Sequence, residues 1–151
     1  MDVIDNLGAV FTDALAEIIA TATSIHIGCV SSKTDADFLE LTGAMSLCSK
    51  RGGILFISAD KSDIRALCSF MIGVPESEVS DADTEDALCE FVNMTAGNAK
   101  LRLSNPDYMF TLSSPFVVKG KNITIVTKNK TRVISTLLGN GNVSLKLIFV
   151  C

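Results

Sequence analysis

The stretch 86-DALCEFVNMTAGN-98 carries the pattern that decides how this chain folds. Successive residues of an α-helix are rotated by about 100°, so each residue can be assigned to one side of the helix. Here, one side gathers the apolar and small residues Leu88, Phe91, Val92, Thr95, Ala96, Ala99 and Leu103. The pattern therefore predicts an amphipathic helix whose inner side packs into a core.

The opposite side of this helix is polar in an unusual way. It carries Asp86, Glu90, Asn93 and Gly97, spaced four, three and four residues apart. A carboxylate and a carboxamide then lie one turn apart, with Cβ atoms within roughly 5–6 Å of each other. Gly97 costs the helix up to about 1 kcal/mol relative to alanine and leaves its surface bare, which suggests that something approaches closely there. Composition alone leaves a solvated surface and a functional site as equal alternatives.

The composition is that of one globular domain. The chain has 151 residues, of which 48% are hydrophobic and 20% charged, enough for a sizeable core. Its net charge of −4, its scattered lysines and its lack of tryptophan argue against a nucleic-acid-binding face. No run reaches the roughly 18 apolar residues of a membrane span, and the acidic first helix does not match a signal peptide. We therefore expect a single cytoplasmic domain over residues 1–151, with neither nucleic acid nor membrane as partner.

The cysteines and the single histidine give no sign of a metal site or a disulfide framework. The five cysteines are far apart and form no Cys-x-x-Cys pair; they are Cys29, Cys48, Cys68, Cys89 and Cys151. Zinc sites and disulfide frameworks need closer spacing than this. We expect reduced thiols, no bound metal, and His26 as a surface residue of a strand.

Periodicity predicts three helices and several strands. The helices cover residues 2–22, Lys61–Ile72 and the long helix from about residue 82 to Leu103. Alternating or β-branched runs predict strands over Ser24–Val30, Phe38–Cys48, Ile54–Ser58, Tyr108–Leu112, Asn122–Thr127, Arg132–Leu138 and Val143–Val150. This order predicts an α+β fold, a two-layer domain of antiparallel β-sheet packed with long helices.

Local signals place the ends of these elements. Gly73 is expected to cap the second helix, with Pro75 as a stop, and Ser80 with Asp83 to cap the long helix at its start. Asn105-Pro106 is expected to end the long helix. Turns are predicted at Lys50-Arg51-Gly52-Gly53 and at Gly139–Asn142.

The chain also contains a candidate internal repeat. Asp13-Ala14-Leu15-Ala16-Glu17 matches Asp86-Ala87-Leu88-Cys89-Glu90, an offset of 73 residues. Each copy begins a helix that is followed by strands and a glycine hairpin, so two pseudo-repeated halves are expected. Ala20 stands in the first copy where Asn93 stands in the second.

The arrangement resembles a known family. Asp86-x3-Glu90-x2-Asn93-x3-Gly97-Asn98 is similar to the signature of the CheC/CheX/FliY phosphatases of bacterial chemotaxis, most of all to its CheX group. Ser114-Pro115-Phe116-Val117-Val118-Lys119-Gly120 resembles the proline-to-glycine stretch that follows the motif helix in that family. The resemblance implies a CheC-like fold, with Asp13–Glu17 as a lost first motif.

The resemblance also implies an activity, hydrolysis of the aspartyl phosphate on a CheY-like response-regulator receiver. Glu90 and Asn93 match the two positions that carry it. Asn93 is expected to position the attacking water and Glu90 to pair with the receiver's lysine, since a carboxylate base would be repelled by the phosphoryl oxygens. Gly97 gives clearance, Asn98 bonds to nearby backbone, and Asp86 lies at the rim.

Cofactor and assembly expectations follow from the same resemblance. The receiver would supply Mg²⁺, so no cofactor of the chain's own is expected. A homodimer joined through sheet edges is implied as well.

Two other functions are weighed against the phosphatase. One is a non-catalytic module of the same fold that binds a receiver or a flagellar-switch component. The other is a cysteine-dependent hydrolase, which no Cys/His/Asx trio in the sequence supports.

Overall fold

A computed structural model describes residues 3–33, 35–49, 52–103, 109–128 and 131–151. The described residues form three α-helices, with bounds α1 Val3–Thr23, α2 Lys61–Ile72 and α3 Asp81–Arg102, and a 3-10 turn at Glu76–Glu78. They also form a seven-stranded sheet, with strands β1 Gly28–Lys33, β2 Leu41–Cys48, β3 Gly53–Ala59, β4 Thr111–Leu112, β5 Phe116–Lys119, β6 Val133–Gly139 and β7 Ser144–Val150. The predicted α+β architecture is confirmed.

The sheet is antiparallel and has a two-fold pattern. Its order is β1-β6-β7-β3-β2-β4, and β5 pairs with the first half of β2, on the same edge whose second half pairs with β4. Exchanging β1, β2 and β3 of the first half with β4, β6 and β7 of the second gives the same order read from the opposite edge, with the β3–β7 pair at the centre. The outer strands cross between halves: β1 pairs with β6, and β4 and β5 pair with β2. The two pseudo-repeated halves are thus visible in the topology.

Helices α1 and α3 pack on one face of the sheet, and α2 packs against both of them in the same core. Alternate residues of the central strands, such as Met45, Ile57 and Leu147, are fully buried against the helices. In α1, Phe11 stacks on Phe149 of β7 with ring centroids 4.9 Å apart. This interface between helices and sheet forms the main core, and burial of apolar surface is the dominant favourable term in folding.

The opposite face of the sheet is covered by two chain segments. Residues 36–38 and 123–125 lie beside each other through a single bridge, Asp37 with Thr124, and two further backbone hydrogen bonds. Phe38 packs on Phe56 there, in a smaller cluster with Ala44, Ile148 and other apolar residues. We call residues 36–38 and 123–126 the cover.

The predicted helix ends are confirmed where they can be seen. Gly73 caps α2 in the left-handed conformation, with φ 74°. Ser80 and Asp83 form a reciprocal capping box at the start of α3: Asp83 N–H donates to Ser80 Oγ at 3.0 Å, and Ser80 N–H donates to the Asp83 carboxylate at 3.1 Å. Pro75 precedes the 3-10 turn. Lys50, Arg51 and Asn105-Pro106 lie outside the described residues.

Some predicted strands are wrong in extent. The Ser24–Val30 strand begins only at Gly28, so His26 is exposed as predicted but precedes the strand. Ile25 and Ile27 alternate because the segment between α1 and β1 packs both side chains against the core, although these residues do not pair with a strand. Phe38 belongs to the cover, and β2 begins at Leu41.

The region after α3 differs most from the sequence-based prediction. Of the predicted Asn122–Thr127 strand, only the Thr124 bridge exists, since Ile123 and Ile125 cover the far face of the sheet. The proline segment instead supplies a strand, β5, that had not been predicted. The predicted Tyr108–Leu112 strand is reduced among the described residues to Thr111–Leu112, and Tyr108 lies outside them.

The turn between β6 and β7 is confirmed. Gly141 adopts a left-handed φ of 91°, and the Asn140 side chain accepts hydrogen bonds from the backbone N–H groups of Asn142 and Val143, each at 2.9 Å.

All five cysteines are free. In the described part of the chain, no helix is long and apolar enough to cross a membrane.

Candidate functional site

The buried side of helix α3 sets the position of this helix against the sheet. Leu88 and Val92 press against β2 at Gly43, where an added Cβ would lie 2.6 Å from the Val92 side chain. Phe91, Thr95 and Ala99 are completely buried on the same helix. The helix therefore lies close to the sheet, and its outer side is turned away from the core.

The predicted polar stripe lies on that outer side. Asp86, Glu90 and Asn93 are all exposed. Gly97 is half-buried, yet no atom beyond its chain neighbours and the backbone of its own helix lies within 4 Å of the position that its Cβ would take. The structure thus brings the four predicted residues to one open surface of α3 and leaves clearance beside Gly97.

Asn98 is held differently from the prediction. Its Oδ1 accepts a hydrogen bond from Arg102 Nε at 2.6 Å, whereas a bond to nearby backbone was expected. The same Arg102 side chain pairs with Glu17 of α1. Asn98, Arg102 and Glu17 therefore link the motif to the neighbouring helix, and the expected backbone contact of Asn98 is wrong.

A second ion pair fixes the other flank of α3. Lys119 Nζ of β5 lies 2.7 Å from the Glu85 carboxylate. This hydrogen bond raises the pKa of Lys119 above its usual value. The proline segment therefore contributes the outer strand beside the motif helix and is tied to it by this contact.

Cys89 lies on α3 between the two flanks and is half-buried. Burial raises the pKa of its thiol, and the carboxylates of Asp86, Glu85 and Glu90 raise it further. A thiol with a raised pKa is a poor nucleophile at neutral pH. Cys89 therefore gives no support to a cysteine-dependent hydrolase.

The motif surface is a helix face that a large partner could cover. Two cavities among the described residues have volumes of about 500 and 270 Å³, and neither is lined by Asp86, Glu90, Asn93 or Gly97. The larger lies between α1, β1 and β6, and the smaller lies beside Lys61, Glu85 and Lys119. Among the described residues, no group of three or more His, Cys, Asp or Glu side chains could hold a metal ion. The exposed stripe can supply a carboxylate and a carboxamide to a substrate presented by another macromolecule.

Sequence comparison places the chain. A family model described as "Chemotaxis phosphatase CheX" matches residues 41–138. The chain belongs to the CheX family. No curated protein matches it.

Solved structures of the family share the fold. A CheC-like superfamily protein from Shewanella sp. PV-4 is 23% identical, with a TM-score of 0.83 over 99% of this chain and 98% of that one. The chemotaxis protein CheX from Vibrio vulnificus is 20% identical, with a TM-score of 0.81 over 97% and 98%. A CheX–CheY–BeF3–Mg²⁺ complex from Borrelia burgdorferi matches with 15% identity and a TM-score of 0.75 over 95% of each chain.

Two contacts of Arg102 at the site were not predicted from the sequence. Arg102 is four residues beyond Asn98, a spacing that brings helix side chains together, so this contact carried a readable signal. No spacing in the sequence indicates the pairing of Arg102 with Glu17, because that contact depends on how α1 and α3 pack in three dimensions.

Proposed function

We propose that this protein is a cytoplasmic phosphatase that hydrolyses the aspartyl phosphate of a CheY-like receiver, with Glu90 and Asn93 inserted into the receiver's site. The observation that carries the proposal is the exposed pair on α3, one turn apart and beside the bare surface at Gly97, in a chain of the CheX family. The complex of a related CheX with CheY and BeF3–Mg²⁺ supports a receiver as partner.

The chemistry asked of Asn93 is positioning. Phosphoryl transfer depends chiefly on orientation and electrostatic stabilisation, and the receiver brings the phosphoryl group, its lysine and Mg²⁺. A carboxamide both donates and accepts hydrogen bonds, so Asn93 can hold a water in line with the breaking P–O bond. In this proposal the chain needs no cofactor of its own.

Glu90 has a docking role in the proposal. Its carboxylate, one turn before Asn93, pairs with the receiver's lysine and so orients the helix. Asp86 lies at the rim and contacts the partner without taking part in chemistry. Gly97 lets the receiver's loops approach, and Asn98 is fixed by Arg102 at the edge of the same surface.

Assembly into a homodimer belongs to the same proposal. The edges of the sheet are β1 on one side and β4 with β5 on the other. Val30 on β1 and Phe116 on β5 are 63% and 50% exposed, so each edge presents an apolar side chain to a second subunit. An exposed strand edge is a template for pairing with another chain.

The deciding experiment measures phosphate release from an acetyl-phosphate-labelled receiver. We expect the wild-type protein to accelerate release and Asn93→Ala to lose about a hundredfold in kcat, which corresponds to about 2.7 kcal/mol of transition-state stabilisation. Because Asn93 is exposed, the variant should unfold at the wild-type temperature. An Asn93→Ala variant that works at the wild-type rate would refute the mechanism, and binding without faster release would assign the non-catalytic module instead.

A further inference from the structure

Helix α3 extends further beyond the motif than its counterpart in the first half of the chain does. With the offset of 73 residues, Ser24 is the counterpart of Gly97. Ser24 has a left-handed φ of 61°, and α1 ends just before it at Thr23. Helix α3 instead continues through Gly97 to Arg102. The half that retains the asparagine therefore carries an additional helical turn beyond the motif.

Core packing accounts for only part of this additional turn. Ala99 is completely buried, and Leu103 packs against the core at the helix end. Arg102 is held by Asn98 and Glu17. Leu101, by contrast, is 90% exposed.

Leu101 lies on the same stripe as the motif. Eleven residues separate it from Glu90, which is three turns with an offset of about 20° around the helix axis. Gly97 lies one turn before it and leaves the surface between them open. At about 1.5 Å per residue, Leu101 is about 12 Å beyond Asn93 along the helix.

Charge divides the stripe into two ends. Asp83, Asp86 and Glu90 make the first end of the stripe acidic. At the second end, the exposed Lys100 is next to Leu101. A partner that covers the whole stripe must therefore match an acidic end and an apolar, basic end. Such an arrangement fixes the direction in which the partner lies along the helix.

We infer that Leu101 is a docking residue for the receiver: it packs on an apolar patch of the receiver about 12 Å from the phosphoaspartate, beside an acidic group that meets Lys100. The inference rests on the proposed function, because it takes the Glu90–Asn93 surface as the receiver-binding face. Exposed leucines are common on protein surfaces, so position on the motif stripe carries the argument and exposure alone does not. Burying one leucine side chain in an interface is worth about ten- to a hundredfold in affinity.

The test uses Leu101→Asp and a matched control. Val126 is also 90% exposed, but it lies in the cover on the opposite face of the sheet, so Val126→Asp introduces the same charge far from α3. Among acetyl-phosphate-labelled CheY-like receivers, the one with the highest wild-type kcat/KM is chosen. We then measure kcat and KM for both variants, together with affinity for the BeF3-activated receiver.

Leu101→Asp should raise KM and weaken receiver binding at least about tenfold, with kcat within about twofold of wild type. Val126→Asp should change neither. An unchanged KM and affinity in Leu101→Asp, or equal losses in both variants, would overturn the inference.

Failure of the proposed function would look different. If the wild-type protein binds the activated receiver without releasing phosphate, the phosphatase proposal fails, and a weaker affinity of Leu101→Asp still upholds the docking role. If the wild-type protein neither binds nor dephosphorylates any receiver, both the function and the docking role are refuted.

Discussion

Helices α1 and α3 hold equivalent places in the two halves but present different outer surfaces. Both contain Asp-Ala-Leu-x-Glu, and both bury their inner side. In α1, Glu17 pairs with Arg102 of the other helix and Ala20 replaces the asparagine. In α3, Glu90 and Asn93 are exposed. The fold needs the inner side of both helices, whereas only the outer side of α3 retains the pair of groups that the proposed reaction uses.

The glycine that allows close contact between helix and sheet lies on different partners in the two halves. In the first half the glycine is on the helix, where an added Cβ at Gly8 would lie 2.9 Å from the Ile134 side chain of β6. In the second half it is on the strand, at Gly43, and the helix supplies the bulky Val92 and Leu88. Close packing of helix on sheet is therefore reached with the small residue on the helix in one half and on the strand in the other.

The largest expected effect comes from filling the bare surface of α3. Gly97→Phe should lower kcat/KM for a phosphorylated receiver by about a hundredfold, or about 2.7 kcal/mol, because the ring would occupy the space through which the receiver approaches. Folding should not suffer, since no atom beyond the neighbouring residues and the backbone of α3 itself lies within 4 Å of the added Cβ. Steady-state kinetics with thermal unfolding as control measures both, and full activity would mean that this surface is not the one that distinguishes α3 from α1.

A smaller effect is expected from the packing difference. Gly43→Ala should lower the free energy of unfolding by about 1–3 kcal/mol, because its Cβ would press on a stiff, buried valine. Urea denaturation measures the loss. Gly97→Ala serves as the control and should gain up to about 1 kcal/mol from helix propensity. A neutral Gly43→Ala would show that α3 can move away from the sheet without cost.

The smallest effect is expected from restoring the asparagine in the first half. Ala20→Asn recreates Glu-x-x-Asn on α1. Introduced into the Asn93→Ala variant, it should nevertheless leave kcat within about twofold of the kcat of Asn93→Ala alone. Glu17 remains paired with Arg102, and α1 ends before the position matched to Gly97. A recovery of activity would show that a single residue separates the two surfaces.

The long helix could be predicted because its signals are local. The Ser80–Asp83 capping box and the inward spacing of Leu88, Phe91 and Val92 act within a few residues of sequence, and the structure contains them as predicted. The antiparallel sheet was predicted for the same reason, from alternating strands and the Gly139–Asn142 turn.

The remaining strands depended on contacts that sequence spacing does not reveal. Ile123 and Ile125 alternate like a strand, but they pack on the far face of the sheet. Phe116–Lys119 becomes a strand because β2 offers it an edge, and Lys119 is held by Glu85 of α3. At the site, helical periodicity was enough to predict that Glu90 and Asn93 are exposed. The link from Asn98 through Arg102 to Glu17 could not be predicted, because it depends on how α1 and α3 pack together.

The crossing of outer strands between halves has a consequence for how the chain reaches its native state. Among the described residues, β1 follows the first helix but pairs only with β6 of the second half, and β5 of the second half returns to pair with β2. Neither half can therefore complete its own sheet, and during synthesis the first half must wait for the second before its outer strand is paired. Such long-range pairing slows folding, and a single ancestral half would have had to exchange strands with a second copy of itself.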